Sequence, residues 1–136
     1  METESLRVNQ LSDEAYTWYL DYLEAVDSKD VDAYGSLLAD DVVMQTNNYP
    51  AVKGKEANLE NLAQYWQSFG DLEHDLLNIY GSDEAFVLEA LNHYTRLEGE
   101  RVTLRAVAFT DRNEAGQVKA VRLYTDTSPL FAAGAA

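Results

Sequence analysis

The chain has 136 residues, 46% of them hydrophobic and 11% aromatic, and no cysteine; this fits one domain over 1–136 and excludes disulfides, thiolate metal sites and a cysteine nucleophile. With 24 acidic against 10 basic residues the net charge is −14, a surface that repels phosphate backbones and anionic membranes and so argues against a nucleic-acid or membrane partner. The polar opening "METESLRVNQ" carries no apolar signal-peptide core and no apolar run is long enough to span a bilayer, so a cytoplasmic location is expected.

Residues 12–27 read as a helix. Ser12 is placed to cap it, Leu11 precedes the cap, and Ala15, Trp18, Tyr19, Tyr22 and Val26 recur at helical spacing. A second, shorter helix is expected over about 30–39, with Asp30 as its cap and Val31, Tyr34, Leu37 and Leu38 buried. The period then changes. In "DVVMQTNN", Val42, Met44 and Thr46 alternate against Val43 and Gln45, as in a short strand. "NNYPAVKG" is loop chemistry, in which Asn47 and Asn48 are expected to make turn hydrogen bonds. Helical spacing returns over 55–69 through Leu59, Leu62, Ala63, Trp66 and Phe69, with Gly70 placed to end the helix. Strands are expected near 72–80, 85–97, 101–111 and 117–126, and their short connections make neighbours antiparallel. The closing "AAGAA" reads as a frayed tail. Helices packed on one face of a curved antiparallel sheet define an α+β domain.

The order and spacing of "YLEAVDSKDVDAYGSLLADDVVM", then "VKGKEA" opening a helix, then "GQVKAVRLYTDTSPLF" resemble the SnoaL-like proteins of the nuclear transport factor 2-like superfamily. Ketosteroid isomerases and limonene epoxide hydrolases share that fold. The resemblance covers about residues 12–131. It implies a cone, in which three helices from the N-terminal half pack on the concave face of the sheet. A fold of this kind hosts many activities, so functional residues have to be matched one by one.

In ketosteroid isomerases a tyrosine on the first helix hydrogen-bonds an oxyanion, and the resemblance puts Tyr22 there. Their general-base aspartate falls on Thr46 or Asn47, and their protonated aspartate on Val107 or Ala108. None of these is a carboxyl group, so the isomerase reaction is not expected. In limonene epoxide hydrolases an Asp-Arg-Asp cluster activates water. Its Arg-x-Asp part falls near His93 and Thr95, and its last aspartate near Leu123, so that cluster is missing as well. Arg122, Tyr124 and Asp126 resemble the family's Arg…Tyr-x-Asp ending.

Strand alternation splits 86–97 into two faces: Phe86, Leu88, Ala90, Asn92, Tyr94 and Arg96 on one, Val87, Glu89, Leu91, His93, Thr95 and Leu97 on the other. Aligning "LEGE" with the isomerase turn puts the second set inside the cone. The face taken by Arg105 stays open. The expected cavity is lined by Trp18, Met44, Thr46, Asn48, Trp66, Glu89, Leu91, Thr95 and Leu123, with His93 as acid/base and Tyr22 as its hydroxyl partner. Histidine suits that role because its pKa lies near neutrality. Asn92, Tyr94, Arg122 and Tyr124 then face outward, where relatives dimerise.

His74, in "DLEHDLL", has acidic sequence neighbours that alternate to opposite faces, so no metal site is expected, and no cofactor. The expected function is binding of a small hydrophobic molecule by a homodimer. Isomerase, cyclase or hydrolase chemistry through His93 is one version; a noncatalytic binding or assembly module, its pocket filled by its own aromatics, is the alternative.

Overall fold

The structure, a computed structural model, describes residues 1–131; the "AAGAA" tail lies outside the described residues. In chain order the elements are β1 (Val8–Asn9), α1 (Asp13–Asp27), α2 (Val31–Ser36), β2 (Leu38–Thr46), β3 (Val52–Lys53), α3 (Lys55–Trp66), β4 (Asp71–Gly81), β5 (Ala85–Thr95), β6 (Arg101–Arg112), β7 (Val118–Thr125) and α4 (Ser128–Phe131). The strands form one curved sheet in the order β1-β4-β5-β6-β7-β2-β3. From β4 to β7 each strand pairs antiparallel with the next, while β1 joins β4 and β2 joins β7 in parallel. The α+β cone expected from the sequence is the fold observed.

Both expected caps form. The Ser12 hydroxyl accepts from the Ala15 N–H at 3.1 Å and the Asp30 carboxylate from the Ala33 N–H at 3.0 Å, satisfying donors that a helix start leaves free. Two helices stop earlier than their periodicity predicts. α2 ends at Ser36 rather than 39 because the Leu37 carbonyl accepts from the Val118 N–H at 3.0 Å, which draws the chain into the sheet four residues before Val42. α3 ends at Trp66 rather than 69. There the Lys29 ammonium donates to the carbonyls of Trp66, Phe69 and Gly70 at 3.0–3.1 Å, taking up groups that the helix end leaves unpaired. The short elements β1, β3 and α4 are too brief to show a period in the sequence.

The register corrects the faces of β5. Phe86, Leu88, Ala90, Asn92 and Tyr94 are buried, while Val87, Glu89, Leu91, His93 and Thr95 are only half-buried. The first set looks into the cone and the second lies on the convex face, the reverse of the expectation from "LEGE". The loop between β5 and β6 spans 96–100, closed by Arg96 N–H to Glu100 O at 2.7 Å, and Thr95 pairs with Arg101. A turn aligned one residue out inverts every side chain along the strand. Leu91 pairs with Arg105, so Arg105 is convex. On β4 a bulge at Leu77 lets both Leu76 and Ile79 point inward, and neither is exposed at all.

Tyrosines supply much of the core. Tyr19 meets Phe86 edge-on at 4.6 Å, and Tyr22 packs on Tyr34 at 5.0 Å. Burial pushes the phenols of Tyr19, Tyr22, Tyr34 and Tyr94 above their ordinary 10.0, Tyr34 to about 12. The native state therefore holds protons that the unfolded chain releases above 10, so stability is complete below pH 10.0 and drains away as pH climbs towards 12. The expected outcome is a Tm that falls steeply once pH passes about 10, with tyrosinate absorbance rising in the same transition. Full ionisation of the tyrosines within an intact fold would contradict it.

A candidate active site in the cone

Helices α1 and α3 and the concave face of the sheet enclose a cavity of about 500 Å³. The sequence makes room for it with small residues at the middle of the sheet. Ala90 pairs with Ala106 and Leu88 with Ala108, and all four line the wall; bulkier residues at the alanines would fill it. From α1 the positions Tyr19, Tyr22, Leu23 and Val26 reach the cavity, one helical stripe. Exposed Tyr49 and Phe131 rim its mouth.

Of the residues expected to line a pocket, Met44, Thr46, Trp66 and Leu123 stand on the wall, together with Tyr22. The others do not. Trp18 lies round the helix from the cavity stripe, under the Arg112 guanidinium at 4.0 Å. Asn48 belongs to a separate surface depression with Asp126. Glu89, Leu91, His93 and Thr95 are on the convex face, whereas Asn92 and Tyr94, expected at a dimer contact, line the cavity. Arg122 and Tyr124 face outward, as expected; Asn47 clamps the Thr125 backbone through both ends of its amide, at 2.6 and 3.0 Å.

The histidine on the cavity wall is His74. Its place follows from the alternation of Leu72, His74 and Leu76 on β4, a signal present in the sequence. Its partner could not be read there: Asp27, at the end of α1, is 47 positions away. The Asp27 side chain is 7% exposed. Its Oδ1 lies 2.5 Å from His74 Nδ1, and its Oδ2 accepts the His74 backbone N–H at 3.1 Å and sits 3.4 Å from the Met1 amino group. An ionised carboxylate only accepts, so Nδ1 carries the proton and Nε2 is the ring nitrogen left for a ligand.

Neutral hydroxyls stand nearby. Asn92 pairs with His74 across the strands. Beyond it the hydroxyls of Tyr94 and Tyr65 lie 2.9 Å apart, and burial raises both phenols. Tyr22 and Tyr34 form a second hydroxyl pair at 2.8 Å. Raised pKa values keep these groups protonated near neutrality, so they offer hydrogen bonds and not charge. Buried Asn92 Oδ1 and Trp66 Nε1 have no hydrogen-bond partner among the described residues, which adds unpaired polar atoms to a mostly apolar wall.

The geometry predicts a strongly downfield His74 Nδ1–H resonance in proton NMR. Asp27→Asn should remove it and lower stability by about 1–3 kcal/mol, because a neutral amide cannot serve both His74 donors and the Met1 amine equally well. A resonance that survives the substitution would rule out the pairing.

The SnoaL-like domain family matches residues 19–121. Among solved structures, an LEH-like epoxide hydrolase from M. tuberculosis is similar at 20% identity and TM-score 0.71, over 87% of this chain and 86% of that one. A putative polyketide cyclase from Xanthomonas campestris pv. campestris is 23% identical with TM-score 0.70, over 85% and 92%. TerC, co-crystallised with polyporic acid, is 16% identical with TM-score 0.74, over 86% and 95%. Comparison with curated proteins found no match. At these identities the structures share the fold, and the family match covers most of the sequence: the chain belongs to the SnoaL-like domain family.

Proposed function

We propose that the chain binds a small, largely apolar molecule in the cone and carries out cofactor-independent acid–base chemistry on it, of the isomerase, cyclase or hydrolase kind. The observation that carries this reading is His74, oriented by buried Asp27 and open to the cavity. His74 Nε2 takes the proton from a bound substrate, and Asp27 stabilises the imidazolium that forms. The protonated hydroxyls of Tyr94 and Tyr65, or those of Tyr22 and Tyr34, donate to the oxygen on which negative charge develops. The proton then returns from Nε2 to the product. The noncatalytic reading draws support from the missing carboxylates at Thr46, Asn47, Val107 and Ala108.

Polyporic acid, the molecule co-crystallised with TerC, is a suitable first probe alongside a panel of enols, phenols and epoxides. Binding, followed by tryptophan fluorescence, should disappear in Ala106→Phe, which fills the cavity. His74→Gln should keep the affinity of a ligand that is turned over and lose about 10²–10⁴-fold in rate. Binding unaffected by Ala106→Phe would sink the cavity reading; full turnover by His74→Gln would remove His74 as the proton carrier, and no turnover of any bound probe by the wild type would leave only the noncatalytic reading.

We further propose that two copies associate through the convex face. Tyr124 is 49% exposed and meets Phe109 edge-on at 5.9 Å, with the Arg122 guanidinium 5.4 Å from the same ring. Aromatic and arginine side chains are typical anchors of interfaces. Sedimentation should give a dimer that Tyr124→Glu dissociates; a strictly monomeric wild type at micromolar concentration would refute it.

A further inference from the structure

His93 does not face the cavity, yet it is not idle. On the convex face its Nε2 lies 3.2 Å from Asp75 Oδ2 and its Nδ1 lies 2.8 Å from Thr103 Oγ1. A third group is brought in by the N-terminal segment. Glu2 bridges Asp75 in parallel, with Glu2 N–H donating to His74 O at 2.7 Å and Leu76 N–H to Glu2 O at 3.0 Å. Ligand atoms of Glu2, Asp75 and His93 all lie within 4.8 Å of one another.

This cluster holds more negative charge than its partners neutralise. Two carboxylates side by side in a ladder repel, and His93 supplies at most one positive charge. Asp75 is only 9% exposed, and its buried Oδ1 has no hydrogen-bond partner among the described residues. A buried carboxylate oxygen without a donor is costly unless a cation completes it. Glu73, which pairs with His93 in the ladder, is already engaged by the Met1 amino group at 3.3 Å. On the other side Thr103 can accept the Nδ1 proton, which leaves the Nε2 lone pair pointing at Asp75. A hydrogen bond of this kind from the far ring nitrogen is what orients a metal-binding imidazole. Two ligands on one tetrahedral zinc stand about 3.3–3.4 Å apart, close to the 3.2 Å between Nε2 and Oδ2.

We propose that Glu2, Asp75 and His93 form a binding site for a divalent transition-metal ion, zinc above all, on the convex face of the sheet. One imidazole and two carboxylates favour such an ion over magnesium or calcium, which prefer all-oxygen shells. The site is separate from the cavity: His74 and Asp75 are sequence neighbours that point through opposite faces of β4. Its anchor on Glu2 also makes the ion a clamp between the N-terminal segment and the sheet.

The test is titration of tag-free full-length protein with zinc chloride by calorimetry, with magnesium chloride as the control. One zinc per chain is expected, at micromolar affinity or better, with a rise in Tm and a shift of the His93 Nε2 resonance. His93→Gln should weaken binding by about 10–100-fold or more. Glu2→Gln, at an exposed position where folding is not at stake, should also weaken it, while His74→Gln should leave it intact. No saturable zinc binding would overturn the proposal. So would binding that survives His93→Gln, binding lost in His74→Gln instead, or magnesium binding as well as zinc, the mark of diffuse attraction to a chain of charge −14.

Discussion

The pairing of β5 with its two neighbours is the constraint on which both faces of the molecule depend. His93 sits opposite Glu73 on one side and Thr103 on the other. Because side chains alternate strictly along a strand, that register fixes Asn92 and Tyr94 inside the cone and leaves His93, Leu91 and Glu89 outside. The cavity inherits its shape from the same pairing. Ala90 and Ala106 meet across the ladder, with Ala108 two residues on from Ala106, so small inward residues coincide and leave a hollow, where staggered alanines would each be covered by a larger neighbour.

Asp27 is the least expected group in the structure by local rules. A carboxylate at the last residue of a helix faces the negative end of the helix dipole, and one whose side chain is 7% exposed has also lost most of its hydration. Both terms are unfavourable. They are offset by the His74 backbone N–H, the His74 imidazole and the Met1 amine, all within 3.4 Å of the carboxylate. A valine at this position would pack without any of them. A structural ion pair this demanding does little for stability that an apolar residue would not do. Its distinctive effect is to fix the ring of His74 in one orientation and one tautomer.

Much of the architecture was legible in the sequence because it is written in local chemistry. Ser12 and Asp30 cap as their side chains dictate, and the spacing of Tyr19, Tyr22 and Val26 marks the stripe of α1 that reaches the cavity. On β7 alternation separates Val121 and Leu123 from Arg122 and Tyr124, and the similarity to ketosteroid isomerases puts the first pair toward the cavity, whose wall they line. On β5 the same signal was available. Phe86, Leu88, Ala90 and Tyr94 are the more apolar set, and Glu89, His93 and Thr95 the more polar. Turn alignment with relatives overrode it, and a one-residue offset moved the histidine to the wrong side. His74 could have been found by the parity of Leu72 and Leu76. Asp27 could not, since the contact depends on how α1 crosses the sheet and not on any spacing. Nor could the bulge at Leu77, which carries no glycine or proline to mark it.

Two histidine–aspartate pairs on opposite faces of the sheet, His74 with Asp27 of α1 and His93 with Asp75 of β4, show how little the residue types alone decide. At His74 the carboxylate is satisfied on both oxygens, by donors from one residue and from Met1. With three donors on it, what this carboxylate transmits to the ring is orientation. At His93 the carboxylate spends one oxygen on the ring and leaves the other buried without a donor among the described residues, with a second carboxylate within 4.8 Å. A satisfied aspartate only orients its histidine, which suits the proton transfer proposed for His74; an unsatisfied one keeps an acceptor free, which suits the ligand set proposed around His93. The difference lies in the hydrogen-bond count of the partner, which is set by which elements cover each face: α1 over the concave side, the segment around Glu2 over the convex one.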